Sequence, residues 1–265
     1  MPMPGFMTAL RSEAKYVLGD TMQLWKRNLL AYRRQPDLLV FSTIQPVMFV
    51  LLFAFVFGGA IQTGPTPYID FLLPGILVQS GVFGSTQTGV GLAEDVRSGM
   101  IDRYRSLPMA RSAVIAGRIL ADTTRNMFVL TLMVGVGFII GFRFHGSVAG
   151  AIAMVLVGVV FAQAFSWISA AIGMSVRRAE TAQVASFVWI FPLTFVSSIF
   201  VPIETMPGWL RAVAEHSPVT LTVDAMRGLA LGKEFWESLI RSSAWIAGIM
   251  MVFIPVAIWR YRRIS

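Results

Sequence analysis

Asp122 and Arg125 stand three residues apart near the start of a long apolar stretch, opposite charges on one face of a helix. Ionisable groups inside a membrane-crossing segment are costly, and they serve as ion or substrate contacts, as relays, or as structural pairs. The purely apolar run starts only at Met127, so the pair sits close to the interface. That placement leaves both a structural pair and a cavity lining or gate open. Ser85, Thr86, Gln87 and Thr88 form a second polar cluster at the end of another apolar stretch. Hydroxyls and amides in lipid need partners, which predicts that this cluster faces the bundle interior or a cavity, as do Gln45, Gln79, Gln163 and Gln183. Other chemistries are excluded by what is absent. There is no cysteine, and the two histidines, His145 and His216, are expected outside, so no metal site and no catalytic residue is expected. No G-x-x-x-x-G-K-[ST] string occurs. The nearest, Gly228 to Glu234, has the wrong spacing and lacks the hydroxyl that would ligate magnesium.

Six apolar stretches must position these groups: Leu38–Phe57, Ile69–Leu92, Leu120–Phe142, Val148–Ser175, Val184–Ile203 and Leu239–Trp259. Each meets the ~20 residues needed to cross a hydrocarbon core of ~30 Å. None shows the alternation of a barrel strand, so each is a helix with its backbone bonded internally. The charged share is 14%, against about 25% in a soluble protein, which rules out reading the length as one or two soluble domains. The expected fold is an all-α membrane protein. Residues 1–37 form a cytoplasmic N-terminus and residues 38–265 one transmembrane domain, with no secretory signal peptide evident. Nucleic acid is not an expected partner despite the net charge of +8. Of the 22 Lys and Arg, 16 lie in the N-terminal segment, the 93–119 loop, the 175–183 loop and the tail, whereas Arg143, Arg211, Arg227, Lys233 and Arg241 fall on the other side. By the positive-inside rule both termini are cytoplasmic.

Before the first span, Leu18, Met22, Trp25, Leu29 and Tyr32 make one helical stripe, with Lys15, Asp20, Lys26, Arg27, Arg33 and Arg34 around it. This predicts an amphipathic elbow in the headgroup region, bent at Pro36. The alternative is a helix packed on another subunit. In the 93–119 loop, Val96, Met100, Tyr104 and Leu107 form a stripe flanked by Glu94, Asp95, Arg97, Asp102, Arg103 and Arg105. The pattern fits a short helix docking into a protein groove and, equally, a solvated loop that only sets orientation. The 203–238 segment, with Pro202, Pro207 and Trp209 leading, then Asp224 and Arg227, predicts short re-entrant helices on the outer side. Gly137-x-x-x-Gly141, and Ser169-x-x-x-Gly173 with Ala162, Ser166 and Ala170, suit close helix packing.

Glu94, Gly99, Asp102-Arg103-Tyr104-Arg105, Leu107-Pro108, Arg111 and Gly117-Arg118 resemble the cytoplasmic loop of ABC-2 type transporter permeases. The likeness is to the daunorubicin/doxorubicin-resistance and related antibiotic-export branch. Asp224-Ala225-Met226-Arg227-Gly228 resembles a further motif of that family, and the likeness covers nearly the whole chain. The resemblance implies a bacterial plasma-membrane exporter of hydrophobic or amphipathic molecules, antibiotics or complex lipids. It implies a permease that pairs with a second permease, the same or a homologous chain, surrounded by membrane lipid. It also implies a separate ATP-binding-cassette subunit that carries ATP and magnesium, so the chain is not itself an enzyme. Residues Glu94, Asp95, Val96, Arg97, Gly99, Met100, Asp102, Arg103, Tyr104 and Arg105 would then be the coupling surface for that ATPase. The abundance of Phe (20) and Met (15) suits an adaptable apolar surface. Two other classes compete. An ATP-independent secondary transporter or channel would use Asp122 and Arg125 as a relay, yet the inverted repeats common in such folds are missing. An intramembrane enzyme would have Asp122 alone for acid–base work.

Overall fold

The computed structural model describes residues 4–34, 36–61, 63, 66–105 and 111–263. Ten α-helices follow in order: α1 (Pro4–Arg34), α2 (Pro36–Leu52), α3 (Tyr68–Arg97), α4 (Met100–Arg105), α5 (Arg111–Ile140), α6 (Val148–Gly173), α7 (Ala179–Phe195), α8 (Gly208–His216), α9 (Pro218–Leu231) and α10 (Trp236–Arg263). A π-helical turn, Phe53–Phe57, extends α2, and a 3-10 turn, Ile203–Thr205, precedes α8. No strand occurs among the described residues.

Four of these helices, α3, α5, α6 and α10, are long and apolar enough to cross a membrane. The outward faces of α5, α6 and α10 carry large apolar side chains, among them Ile139, Val148, Ile152, Ile240 and Met251, as a lipid-facing belt requires. The first and fifth expected spans are shorter as α-helices. Residues 36–57 are continuous only when the π turn is counted. α7 stops at Phe195, at 17 residues or ~25 Å of rise, instead of running to Ile203. Beyond it Ser197, Ser198, Ile199 and Phe200 are buried in an irregular bend. The third span also differs: α5 begins at Arg111, nine residues before the expected start, so Asp122 and Arg125 lie about three turns inside a 30-residue helix.

α3 is the axis of the bundle. In its apolar window 72% of the residues are buried, against 22% for α10, and it packs on α2, α5, α6, α7 and α9. Its tightest neighbour is α6, and the reason lies in small residues. Gly81 meets Ala162, Ser85 meets Ser169 at 3.3 Å between hydroxyl oxygens, and Gly89 meets Ser169 and Gly173. A Cβ on Gly89 would lie 2.5 Å from the Ser169 carbonyl oxygen, so the backbones touch. Ser169 and Gly173 thus serve the packing expected of them. Gly137 also lies against α3, at Leu73, but Gly141 has nothing near it and instead ends α5 at φ +114.

The 203–238 segment, where short helices are expected, contains α8, α9 and the start of α10. α9 is buried along almost its whole length between α3, α6 and α10, whereas Trp209 on α8 is 74% exposed. Pro202 and Pro207 start the 3-10 turn and α8 respectively. Asp70, which needs no special role in the sequence, is buried. It accepts the backbone N–H of Arg143 at 3.1 Å and lies 3.9 Å from His145, tying the α5–α6 turn to the start of α3.

Backbone contact at the α3–α6 seam sets a clear expectation. Gly89→Leu should separate the helices and lower the melting temperature of the purified protein by several degrees, consistent with overpacking costs of ~1–3 kcal/mol. Gly135→Ala, where nothing lies within 4 Å, should leave it unchanged. Equal melting curves for the two variants would refute the seam.

Candidate functional site

The segment with the docking pattern is built in two pieces. Glu94, Asp95, Val96 and Arg97 form the last turn of α3, and Gly99, at φ +69, breaks the helix before α4. The stripe Val96–Met100–Tyr104 is therefore not one helix. The left-handed residue turns the chain, with Ser98 N–H bonded to the Glu94 carbonyl at 2.9 Å and Gly99 N–H to that of Val96 at 3.3 Å. Ile101 is buried and joins α4 to the apolar cluster that also holds Leu24, Leu92 and Ile115. Outside it, Arg97 grips Glu94 with two bonds of 2.9 and 2.6 Å, and Arg103 is exposed. Arg27 of α1 lies over the Tyr104 ring at 5.2 Å. The side chains of Asp102, Arg105 and Arg111, and residues 106–110 with Leu107-Pro108, lie outside the described residues.

Directly behind this surface is a buried ionic node. Asp122 has no solvent exposure. It accepts from the Tyr32 hydroxyl of α1 and from Thr88 Oγ1 of α3 at 2.6 Å. Arg118 Nε lies 3.5 Å from it, and Arg125 Nη1 4.0 Å. The expected Asp122–Arg125 pair is thus the longer of its two ionic contacts. Arg118 also reaches Asp95 at 3.7 Å and the Gln87 carbonyl at 3.4 Å. Arg125 donates to the Gly84 carbonyl at 2.7 Å and to Asn126 Oδ1 at 3.2 Å. A carboxylate in such surroundings requires both charge compensation and hydrogen bonds, and three helices supply them. Burial and the nearby Asp122 charge hold the Tyr32 phenol above its ordinary pKa, so it stays a donor at neutral pH.

The node also explains why α1 is not a free elbow. Trp25 Nε1 donates to Thr124 Oγ1 at 3.0 Å, and Thr21 and Leu24 are buried against Gly117, where a Cβ would lie 2.6 Å from Leu24 Cβ. Leu18, at 71% exposure, and Met22, at 48%, point away from the chain. The buried face of α1 is therefore rotated from the apolar stripe. Gly117 admits α1 and Arg118 binds Asp122, which gives a physical reason for a Gly-Arg pair at this place.

Ser85 to Thr88 part company. Thr86 and Gln87, with Arg125, line a polar cleft of about 140 Å³ between α2, α3, α5 and α7. Ser85 instead faces Ser169, and Thr88 faces Asp122. Gln45, Gln79 and Gln183 line the cleft; Gln163 does not.

At the other end, Arg227 is buried and spends its donors on backbone. Nε bonds the Phe71 carbonyl at 2.8 Å, while Nη2 bonds the carbonyls of Ser198 and, at 3.3 Å, Ile199. Nη1 meets Asp224 at 3.0 Å and Ser198 Oγ at 3.2 Å, and the guanidinium stacks 3.6 Å from the Phe71 ring centroid. Gly228 lets the following turn fold back, since a Cβ there would lie 2.5 Å from Phe235 Cβ. Asp224 and Arg227 thus hold α9 to α3 and to the bend after α7, while Gly228 admits the turn toward α10. Tyr32, Arg118 and Asn126 are the residues that a reading of single segments does not bring to the site. The Arg118–Asp122 spacing of four was the available signal for one of them.

The sequence pattern of the family described as ABC-2 type transporter matches residues 20–231. The daunorubicin resistance ABC transporter permease protein DrrB1 of Streptomyces coeruleorubidus is 35% identical over 253 residues, covering 95% of this chain and 88% of that protein. A probable doxorubicin resistance ABC transporter permease protein, DrrC of Mycobacterium tuberculosis, is 26% identical, covering 99% and 94%. A putative transport permease, ycf38, of Cyanophora paradoxa is 24% identical, covering 81% and 75%.

Removing the carboxylate would leave two guanidiniums facing each other in a buried site. Asp122→Ala should therefore destabilise the protein by about 3–5 kcal/mol, and Tyr32→Phe by about 1.5–3 kcal/mol. Thermal or denaturant unfolding in detergent measures both. A Tyr32→Phe variant as stable as the parent would remove α1 from the node.

Proposed function

The chain belongs to the ABC-2 type transporter family and is a multi-pass membrane permease subunit, and on that premise we propose how it works. It is the membrane half of an exporter whose energy comes from a separate ATP-binding-cassette subunit carrying ATP and magnesium. It assembles with a second permease, and its cargo is an amphipathic or hydrophobic molecule of the drug or complex-lipid type. The relatives named for daunorubicin and doxorubicin resistance support a drug cargo. Six segments cross the membrane: α2 with its π turn, α3, α5, α6, α7 and α10. The end bearing α1, α4 and Arg260, Arg262 and Arg263 faces the cytoplasm, where basic residues are retained. α8 and α9 re-enter from outside.

The observation that carries this reading is the position of the Asp122 node between the docking end and the cleft. The ATPase seats on the last turn of α3 and on α4. A displacement there reaches α1 through Arg27 and Tyr104, and α5 through Asp95, Arg118 and Asp122. It reaches the cleft wall through Arg125 and the Gly84 carbonyl. Motion thus passes along side chains in contact, exposed at Arg27, partly exposed at Tyr104 and Asp95, and buried at Asp122 and Arg125. Asp122 is held by two hydroxyls and two guanidiniums, an arrangement suited to joining helices and not to relaying protons.

Two experiments test the reading. Glu94→Lys combined with Arg103→Glu should lower co-purification of the partner ATPase by about tenfold or more, as removal of interfacial charge pairs does, without lowering the melting temperature. Undiminished assembly and efflux would move the docking surface elsewhere. Single cysteines at Ser98 and Glu204, both exposed, report orientation in this cysteine-free chain. An impermeant thiol reagent added outside should label only position 204, and labelling at 98 would invert the topology.

A further inference from the structure

Two cavities share a wall on α2. The cleft sets five amide side chains, Gln45, Gln79, Gln87, Gln183 and Asn126, beside the rings of Phe49, Phe83 and Phe187, and Arg125 is the only charged side chain among its described lining residues. Among the described residues no carboxylate lines it: Asp122 sits behind Arg125, its oxygens engaged by Tyr32 and Thr88. The neighbouring groove, about 290 Å³, is lined by Ile44, Met48 and Leu52 together with Gln45 and Phe49, and those last two also line the cleft. At about 140 Å³ the cleft has room for ~4–5 waters at ~30 Å³ each. A whole drug-sized ligand needs a pocket of ~300–1,000 Å³. The cleft can hold a polar head, and the rest of such a molecule must lie elsewhere.

We propose that the cleft receives the polar head of an amphipathic substrate while its apolar body lies along the α2 groove, and that an uncharged, hydroxyl- or amide-rich head is preferred to a cationic amine. This rests on the permease reading and adds a substrate class to it. Glutamine and asparagine side chains offer both donors and acceptors, which suits a glycosyl or amide head. A cation brought into the same space meets the Arg125 guanidinium and, among the described residues, no carboxylate, so only the rings of Phe49, Phe83 and Phe187 are left to offset its lost hydration. The cleft's walls include Gln87 near the end of α3 and Gln183 near the start of α7, at the same end of the bundle as α4. Loading therefore takes place from the leaflet next to the ATPase side. The apolar groove admits the body sideways from lipid.

The test uses the permease with its ATPase in lipid nanodiscs and two photoreactive probes of equal chain length. One is a dodecyl glucoside and the other a dodecyltrimethylammonium, each with a diazirine in the chain. The glucoside should give saturable adducts within residues 44–52. Unlabelled glucoside should compete about tenfold better than unlabelled ammonium, the scale of one lost hydrogen bond to a charged or buried partner. Gln79→Leu should weaken glucoside labelling. Gln183→Glu, which places a carboxylate at the cleft, should shift the preference toward the ammonium by about tenfold, a gain that misfolding cannot produce. Equal competition by both heads, adducts away from α2, or an unchanged preference in Gln183→Glu would overturn the proposal. If the complex assembles and exports in an ATP-dependent way while the probes behave so, the head-group assignment fails alone. If no complex assembles, the permease reading falls and takes this proposal with it.

Discussion

A carboxylate shut away from water governs this architecture. Asp122 can stay ionised only if cations and donors converge on it, and a single helix cannot supply enough of them. Arg118 and Arg125 come from its own helix, Thr88 from α3 and Tyr32 from α1. Satisfying one group therefore fixes the relative positions of three helices. Such a node contributes little net stability compared with a well-packed apolar site, but it tolerates few alternative arrangements. The N-terminal helix is held in place by it, and the docking turn at Gly99 rests on the same framework through Asp95 and Tyr104.

The opposite end repeats the logic with different chemistry. Arg227 is buried among backbone carbonyls, those of Ser198 and Ile199 in the bend after α7 and that of Phe71 in the first turn of α3. Here the cation satisfies the backbone, whereas at Asp122 the cations satisfy a side chain. Between the two clamps, α3 and α6 touch at backbone distance through Gly81, Gly89 and Gly173. With only small side chains in that seam, Ser85, Ala162 and Ser169, α3 and α6 form a stiff unit, and the polar cleft lies on the other side of α3, against α2, α5 and α7.

The apolar runs were legible because hydrophobic length survives any packing arrangement; every expected span corresponds to a helix, though not to the same limits. The limits moved where polar residues are sheltered by neighbours. Arg111 to Ile119 reads as loop by charge, yet α1 packs on this stretch of α5 and it is helical. Val196 to Phe200 reads as span by hydropathy, yet Arg227 takes its carbonyls and it is bent. Asp122, Arg125, Thr86 and Gln87 were visible as misplaced polarity. Tyr32 was not, because its hydroxyl is ordinary at an interface and its partner lies 90 residues away. The role of Gly99 was hidden too, since periodicity carries a stripe straight through a residue whose φ is positive.

The depth of α9 has a consequence for how the chain is made. α9 is too polar to enter lipid by itself, with Asp224, Arg227 and Thr222 along it, and it finds its surroundings in elements made at different times. The partners of Arg227 come from α3 and from the bend after α7, which are synthesised earlier. Thr222 pairs with Ser242 at 2.6 Å, in a helix synthesised later. During synthesis the segment must wait at the membrane surface or in the translocation machinery until α10 emerges to close over it. The last helix thus supplies the final wall, and a ribosome stalled before Trp236 would leave Arg227 with its partners already made but the Thr222 face of α9 without its Ser242 cover.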